Sequence, residues 1–426
     1  MPFVRIAFAL LVSFGLAAAN AQSVKSLKAD GAARWFKGQT HMHTLWSDGD
    51  AAPELAAAWY KDHGYDFISI TDHNVMLRGE RFFIAGEKTR LTAARLAELK
   101  TKFGEDWVET SEAGGETVMR LKTYEELRKR FEGPGTFLMI EGEEITAKAH
   151  VNGLNIRDKV SQSKADTTAG AVHDHVRAVD EQSKQYNVPM IAHVNHPNWG
   201  DFGVPPEDLI VNDFSRFFEV YNGHGGVKNW GDPALRRINT DRYWDIVLAV
   251  RLSKDPANIL YGVATDDAHD YFVRGAGHSI PGRGWCMVLA DKLEPDAIVA
   301  AFQRGDFYAS AGVLLDAIEW NETEYRVAIQ SEPGVTYTTI FYGTRKGADL
   351  SSTPTLDDKG AEIPNTPRQY NDALGQVLLE TADNPAVYTF KGDELYVRAK
   401  VISSKPKVDP FKEGDTEMAW TQPAVR

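Results

Sequence analysis

One cysteine, Cys286, stands in 426 residues. A single thiol forms no intrachain disulfide and no cysteine-built zinc site, so neither device braces this chain. Basic residues are also in short supply: 47 Lys and Arg face 60 Asp and Glu, a formal charge of −13. Such a field repels a phosphate backbone at long range, so no nucleic-acid backbone binding is expected. A small anionic substrate would need a local positive centre. Long apolar runs are missing too. The stretch from Ile6 to Leu16 is too short to span a bilayer, and no membrane anchor is expected.

What is present describes a globular chain. Apolar residues make up 43% and charged residues 25%, enough to bury a large core, and the length exceeds one typical domain. The first 22 residues read differently. Arg5, the apolar run and then Ala19-Asn20-Ala21 form an export leader with a peptidase signal. The expectation is a signal peptide over 1–21 and an exported protein, periplasmic or secreted.

After the leader, apolar β-type runs alternate with helical patterns, the sign of βα units. Strands are expected at 35–40, 67–71, 137–140, 150–156, 189–194, 217–221, 259–265 and 285–289. A helix over 55–63 ends on His63-Gly64, a cation and then a glycine at the negative end of the dipole. Residues 75–136 form an insertion with helical patterns at 91–103 and 124–131. From 316 to 426 helical periodicity fades into strand patterns at 325–330, 337–342, 376–381, 387–390 and 395–403. This predicts an α/β domain over 30–315 and a separate all-β, sandwich-like domain over 316–426, with an exposed loop at 351–370.

The chemistry clusters just past expected strand ends. The first strand runs into His41-Met42-His43 and then Ser47-Asp48-Gly49; two-residue spacing in extended chain puts both imidazoles on one face. The second ends in Asp72-His73-Asn74 and the third in Glu141-Gly142-Glu143-Glu144, with His150 following. Later come His193-Val194-Asn195-His196-Pro197 and Asp266-Asp267-Ala268-His269. Ligands bind at that edge in barrels and open parallel sheets. Imidazole and carboxylate without thiolate suit Zn, Mn or Fe ions in a hydrolytic site.

In order, His41-x-His43, Ser47-Asp48-Gly49, Thr71-Asp72-His73-Asn74, Gly142-Glu143-Glu144, His150, His196-Pro197 and Asp267-Ala268-His269 resemble the motifs of the PHP (polymerase and histidinol phosphatase) family over about residues 35–312. The resemblance implies a distorted (β/α)7 TIM-like barrel with two or three divalent ions at its C-terminal edge. It would place His41, His43, Glu144 and Asp267 on a first ion. Glu144 would bridge to a second held by His150 and His196, and Asp48, His73 and His269 would hold a third. His193 competes with His196 for one position; the His-Pro pattern favours His196 and leaves His193 the second choice.

The function so implied is hydrolysis of phosphate ester bonds by a metal-activated hydroxide, on a small phosphorylated or phosphodiester substrate. His73, Asp267 or His269 would assist the leaving oxygen, and Arg283, set between two glycines, would meet the phosphate, with Arg274 next in line. Two other functions fit the same residues: metal-dependent cleavage of an amide or carboxyl ester, and a non-catalytic extracellular binding protein. Other histidines have duller parts. His173 and His175 are expected on a helix surface and His63 at a helix end. His224 and His278 stand on site-side loops. Cys286 is expected to be a buried small hydrophobe.

Overall fold

Segments rich in Phe, Ile and Val, whose side chains suit a pleated surface, fold into two arcs of strand. The computed structural model describes residues 24–200 and 203–426, so the expected leader lies outside the described residues. One arc runs in the order Tyr261–Thr265, Phe217–Asn222, Ile191–Val194, His150–Leu154, Gly142–Thr146. The other runs Trp285–Ala290, Arg34–Gln39, Phe67–Ile68, Leu138–Met139. Within each arc three neighbouring strands are parallel. Trp285–Ala290 is antiparallel to Arg34–Gln39, and His150–Leu154 is antiparallel to both its neighbours.

A closed (β/α)7 barrel is therefore not what the backbone ladders build among the described residues. Ladders are absent between Leu138–Met139 and Gly142–Thr146 and between Tyr261–Thr265 and Trp285–Ala290. Inside the first arc only residues 147–149 connect Gly142–Thr146 to His150–Leu154, far too few for the helical crossover that parallel strands need, so the chain makes a hairpin there. Single links join the arcs instead. His73 and Glu144 form an isolated parallel bridge. Asp266 N donates to Gln39 Oε1 at 3.3 Å, and the Asp266 carboxylate accepts from the backbone N–H groups of Gly282, Arg283 and Gly284.

The helices begin and end where their sequences say. Pro53–Asp62 starts on proline, whose missing N–H costs nothing in the first turn, and His63 follows its last residue. Thr168–Tyr186 is capped by Thr167, which accepts from Gly170 N, and stops at Asn187 in the left-handed region. On that helix His173 is exposed as expected, but His175 is buried. Its Nε2 accepts from Ser163 N at 2.9 Å, so the 163–167 segment covers a face that helical spacing alone left open.

The 75–136 insertion carries helices Ala93–Phe103 and Tyr124–Phe131 and a three-stranded antiparallel sheet, Phe82–Ala85, Glu116–Arg120, Thr110–Ala113. Its apolar residues, among them Leu99, Met119, Leu121 and Leu127, join the core cluster of Trp46, Tyr60 and Ile68.

The C-terminal strands are not a detached body. Thr416–Thr421 pairs with Phe307–Ser310, which carries the long sheet out of the α/β region. Lys25–Lys28 pairs with Leu315–Trp320 in a second sheet, together with Glu324–Ile329 and Ala386–Thr389. The pairing of Phe307–Ser310 with Thr416–Thr421 thus crosses the expected boundary at 315/316. Between the regions, helix Thr240–Leu252 is buried on nearly every side. Tyr243, Trp244, Val247 and Leu248 pack on the Phe218 side, while Ile246 and Ala249 meet Leu374.

An ion-pair network completes this junction. Arg398 is fully buried and grips Asp245 at 2.8 and 2.7 Å, with Asp241 at 3.0 Å. Burial would raise the Asp241 carboxyl, but Lys400 and Arg398 outweigh it and hold it below its ordinary value. Removing one partner strands a buried charge. Arg398→Ala is expected to cost about 3–5 kcal/mol of stability, read by denaturant unfolding. A loss under about 1 kcal/mol would show that the junction does not depend on this pair.

Candidate metal centre

At the C-terminal end of Arg34–Gln39, Gln39 Oε1 accepts from Thr40 N and His41 N and turns the chain inward. His43 N then donates to Ala268 O and Asp267 N to His41 O, which locks the 41–43 segment to the 267–268 turn. Asp267 and His196 have left-handed backbone, φ 50° and 25°, a conformation that non-glycine residues adopt at a cost of about 1–3 kcal/mol. The turn carrying Asp48 is held by Asp72, which accepts from Thr44 N, Thr44 Oγ1 and Ser47 Oγ. Gly49 is required there: a Cβ would lie 2.5 Å from the His43 backbone.

These elements bring together all nine residues assigned as ligands. Four groups form, with donor atoms mutually within 4.8 Å: His41, His43, Asp267; His41, Glu144, His196; His73, Glu144, His150; and His43, Asp48, His73, His269. Glu144 is the hub. Its oxygens lie 3.5 Å from His41, 3.4 Å from His43, 2.8 Å from His73, 3.1 Å from His150 and 3.3 Å from His196. Asp267 Oδ1 lies 3.2 Å from Nε2 of both His41 and His43. The sharing runs further than expected, because His43 also sits with the Asp48 group and His73 with Glu144 and His150.

The donor chemistry fits divalent cations. His41 Nδ1 lies 2.7 Å from Glu219 Oε1, so that nitrogen keeps its proton and Nε2 turns toward Asp267, Glu144 and His43 Nε2, the last at 3.2 Å. Burial opposes protonation of His41, but Asp267, Glu219 and Glu144 outweigh it and draw its pKa well above the ordinary value. The acids thus require positive charge at that Nε2, which a proton or a metal ion meets. Burial, reinforced by His269, pushes His43 down to about 3 and leaves it neutral. Glu144 Oε2 is buried and accepts no hydrogen bond, with His73 Nδ1 aligned on Thr146 Oγ1 at 2.6 Å. A buried, ionised oxygen without a donor suits a cation.

Three residues expected to move protons are arranged as ligands. His73 Nδ1 is tied to Thr146 Oγ1 and His269 Nδ1 to Asp267 O, so each turns its Nε2 on Asp48, at 3.5 and 3.3 Å. Burial would raise Asp267, yet His41 and His43 hold it well below its ordinary value, and it carries no proton to give. His193 lies behind the ligands. Its Nε2 is 3.4 Å from Thr40 O, and it joins none of the groups, which leaves the position to His196.

Arg283 is a correction. It is buried, and its guanidinium donates to the carbonyls of Gly223, His278, Gly275, Pro410 and Asp409. It straps loops together, with Nε, Nη1 and Nη2 all committed to backbone carbonyls. Arg274 pairs with Asp409 at 3.5 Å. Cys286 is buried and free, and His63 stacks on Trp59 at its helix end, both as expected.

Glu219 is a site residue that the motifs do not point to. It is 1% exposed and accepts four donors: His41 Nδ1, Thr265 Oγ1, His196 N and Asn222 Nδ2. It therefore orients one ligand and fixes the backbone of another. A signal for it does exist, since one acid inside the apolar run Phe217-Phe218-Glu219-Val220-Tyr221 must be paired if the strand is buried.

No protein-family model and no curated protein matches the chain. Among solved structures, a two-domain protein from Bacteroides vulgatus, containing a predicted PHP-like metal-dependent phosphoesterase, is 16% identical. The match covers 96% of this chain and 99% of that one, with a TM-score of 0.41. A protein from Bifidobacterium adolescentis, described as a putative metal-dependent phosphoesterase, is 12% identical over 55% of this chain and 87% of its own, with a TM-score of 0.30.

Proposed function

We propose that this protein is a metal-dependent hydrolase of phosphate esters. The observation that carries the reading is the convergence of five imidazoles on Glu144, with Asp267 beside them, in a buried pocket of ionised acids. His41, His43, Asp267, Glu144, His150 and His196 would hold one pair of ions, and Asp48, His73 and His269 a third. When bound, such ions lower the pKa of water and neutralise charge on a phosphoryl oxygen. The chain's own part is to fix these ligands: Glu219 and Asp72 orient them, and Asn195 Nδ2 donates to Glu144 Oε1 at 2.7 Å. Zn, Mn and Fe all suit imidazole and carboxylate donors. The ions would also offset the acidic surface against an anionic substrate.

One observation favours a second reading. Both arginines expected at a phosphate are engaged elsewhere, which suits a substrate of low charge: a phosphodiester, or else a carboxyl ester. Assays of the metal-loaded protein with p-nitrophenyl phosphate, bis-p-nitrophenyl phosphate and p-nitrophenyl acetate separate these. Turnover is expected on a phosphate ester, with the diester preferred. Release from the acetate alone would replace the first reading with the second.

A further inference from the structure

Loop 222–229 follows the strand that carries Glu219, and it presents a histidine that none of the four metal groups uses. We propose that His224 is a substrate-contacting residue whose neutral Nε2–H donates to a phosphoryl oxygen of the bound substrate. The inference deepens the phosphate-ester reading and rests on that centre taking a phosphoryl group.

The tautomer follows from the backbone. Gly226 N donates to His224 Nδ1 at 3.0 Å, so Nδ1 is an acceptor and the ring proton sits on Nε2. That nitrogen finds no hydrogen-bond acceptor among the described residues. The ring stands edge-on to His269, centroids 5.2 Å apart, and lies 4.6 Å from the Trp199 ring, which itself packs on His196 at 4.9 Å. His224 thus stands beside one imidazole of the metal groups, with Trp199 between it and a second, and belongs to none of the groups.

The position is built. His224 N donates to Asn222 Oδ1 at 2.7 Å, while Asn222 Nδ2 reaches Asp267 Oδ2 at 3.1 Å and Glu219 Oε2 at 2.8 Å. Asn222 and Asn229 exchange two further bonds across the loop. Glycines on both sides leave no room for a side chain. A Cβ at Gly226 would meet His224 Nδ1 at 3.1 Å and the Trp199 ring at 3.2 Å, and one at Gly225 would meet Gly277 O at 2.7 Å. Arg283 Nη1 donates to Gly223 O at 2.8 Å, so the buried arginine supports the loop that carries the histidine. A fixed neutral donor at the rim supplies the polar contact that the guanidinium does not.

The test is calorimetric titration of inorganic phosphate into zinc-loaded wild-type, His224→Ala and His224→Gln proteins, with zinc content measured on each. Glutamine can keep an N–H near the Nε2 position. His224→Ala is expected to bind phosphate about ten- to a hundredfold more weakly, and His224→Gln within about threefold of wild type, with zinc unchanged in both. Equal binding by His224→Ala, equal loss in the two variants, loss of zinc, or no phosphate binding by wild type would each overturn the proposal. If wild type hydrolyses no phosphate ester while phosphate binding still depends on His224, the hydrolase reading falls and this contact stands. If hydrolysis is indifferent to His224→Ala and phosphate affinity is unchanged, the contact falls and the hydrolase reading stands.

Discussion

Chelation of the purified protein is expected to abolish hydrolysis and lower its melting temperature, and added Zn or Mn ions to restore both. Glu144 and Asp267 are buried and held ionised. With the ions gone, the neighbouring imidazoles must take up protons in their place, as the raised pKa values of His41 and His73, the latter about 11, indicate. For His73 burial opposes the shift, and Glu144 and Asp48 outweigh it. A ligand at a hundred times its Kd stabilises the folded state by about 2.7 kcal/mol, so the melting shift is measurable by calorimetry. Turnover should fall by about a thousandfold or more, since several kcal/mol of charge stabilisation leaves with the ions. Full activity after exhaustive chelation would remove metal from the account.

The second large effect is expected at Glu144. Glu144→Gln keeps the shape and the bond from Asn195 but removes the charge that five imidazoles face. The variant should lose more bound metal than any single-histidine variant, because it removes a buried negative charge that faces five imidazoles, whereas a histidine variant removes one neutral donor. A fall in turnover of about a thousandfold is expected, with the fold retained by far-UV circular dichroism. Metal content and rate close to wild type would show that the hub is structural.

Much of this centre is legible in the sequence because ligand chemistry leaves marks at strand ends. His41-x-His43, Asp48, His73, Glu144, His150, His196 and Asp267-Ala268-His269 each follow or end an apolar run, and folding brings those ends to one place. What stays hidden depends on partners distant in sequence. Arg283 between glycines looks free for a phosphate, yet the carbonyls that claim it come from loops at 223, 275–278 and 409–410. Lys25–Lys28 pairs with a strand some 290 residues away, which no local pattern announces. The antiparallel pair inside the first arc has a readable cause: three residues between 146 and 150 are too few for a parallel crossover and dictate a hairpin. His175 is buried against expectation because helical spacing does not report what packs on a face.

Elemental analysis of protein purified without chelators tests the central claim most directly. Two or three divalent ions per chain, reduced together by His41→Ala and by Glu144→Gln, is the predicted result. A correctly folded chain that holds none, and takes up none from excess Zn, Mn or Fe ions, would contradict it.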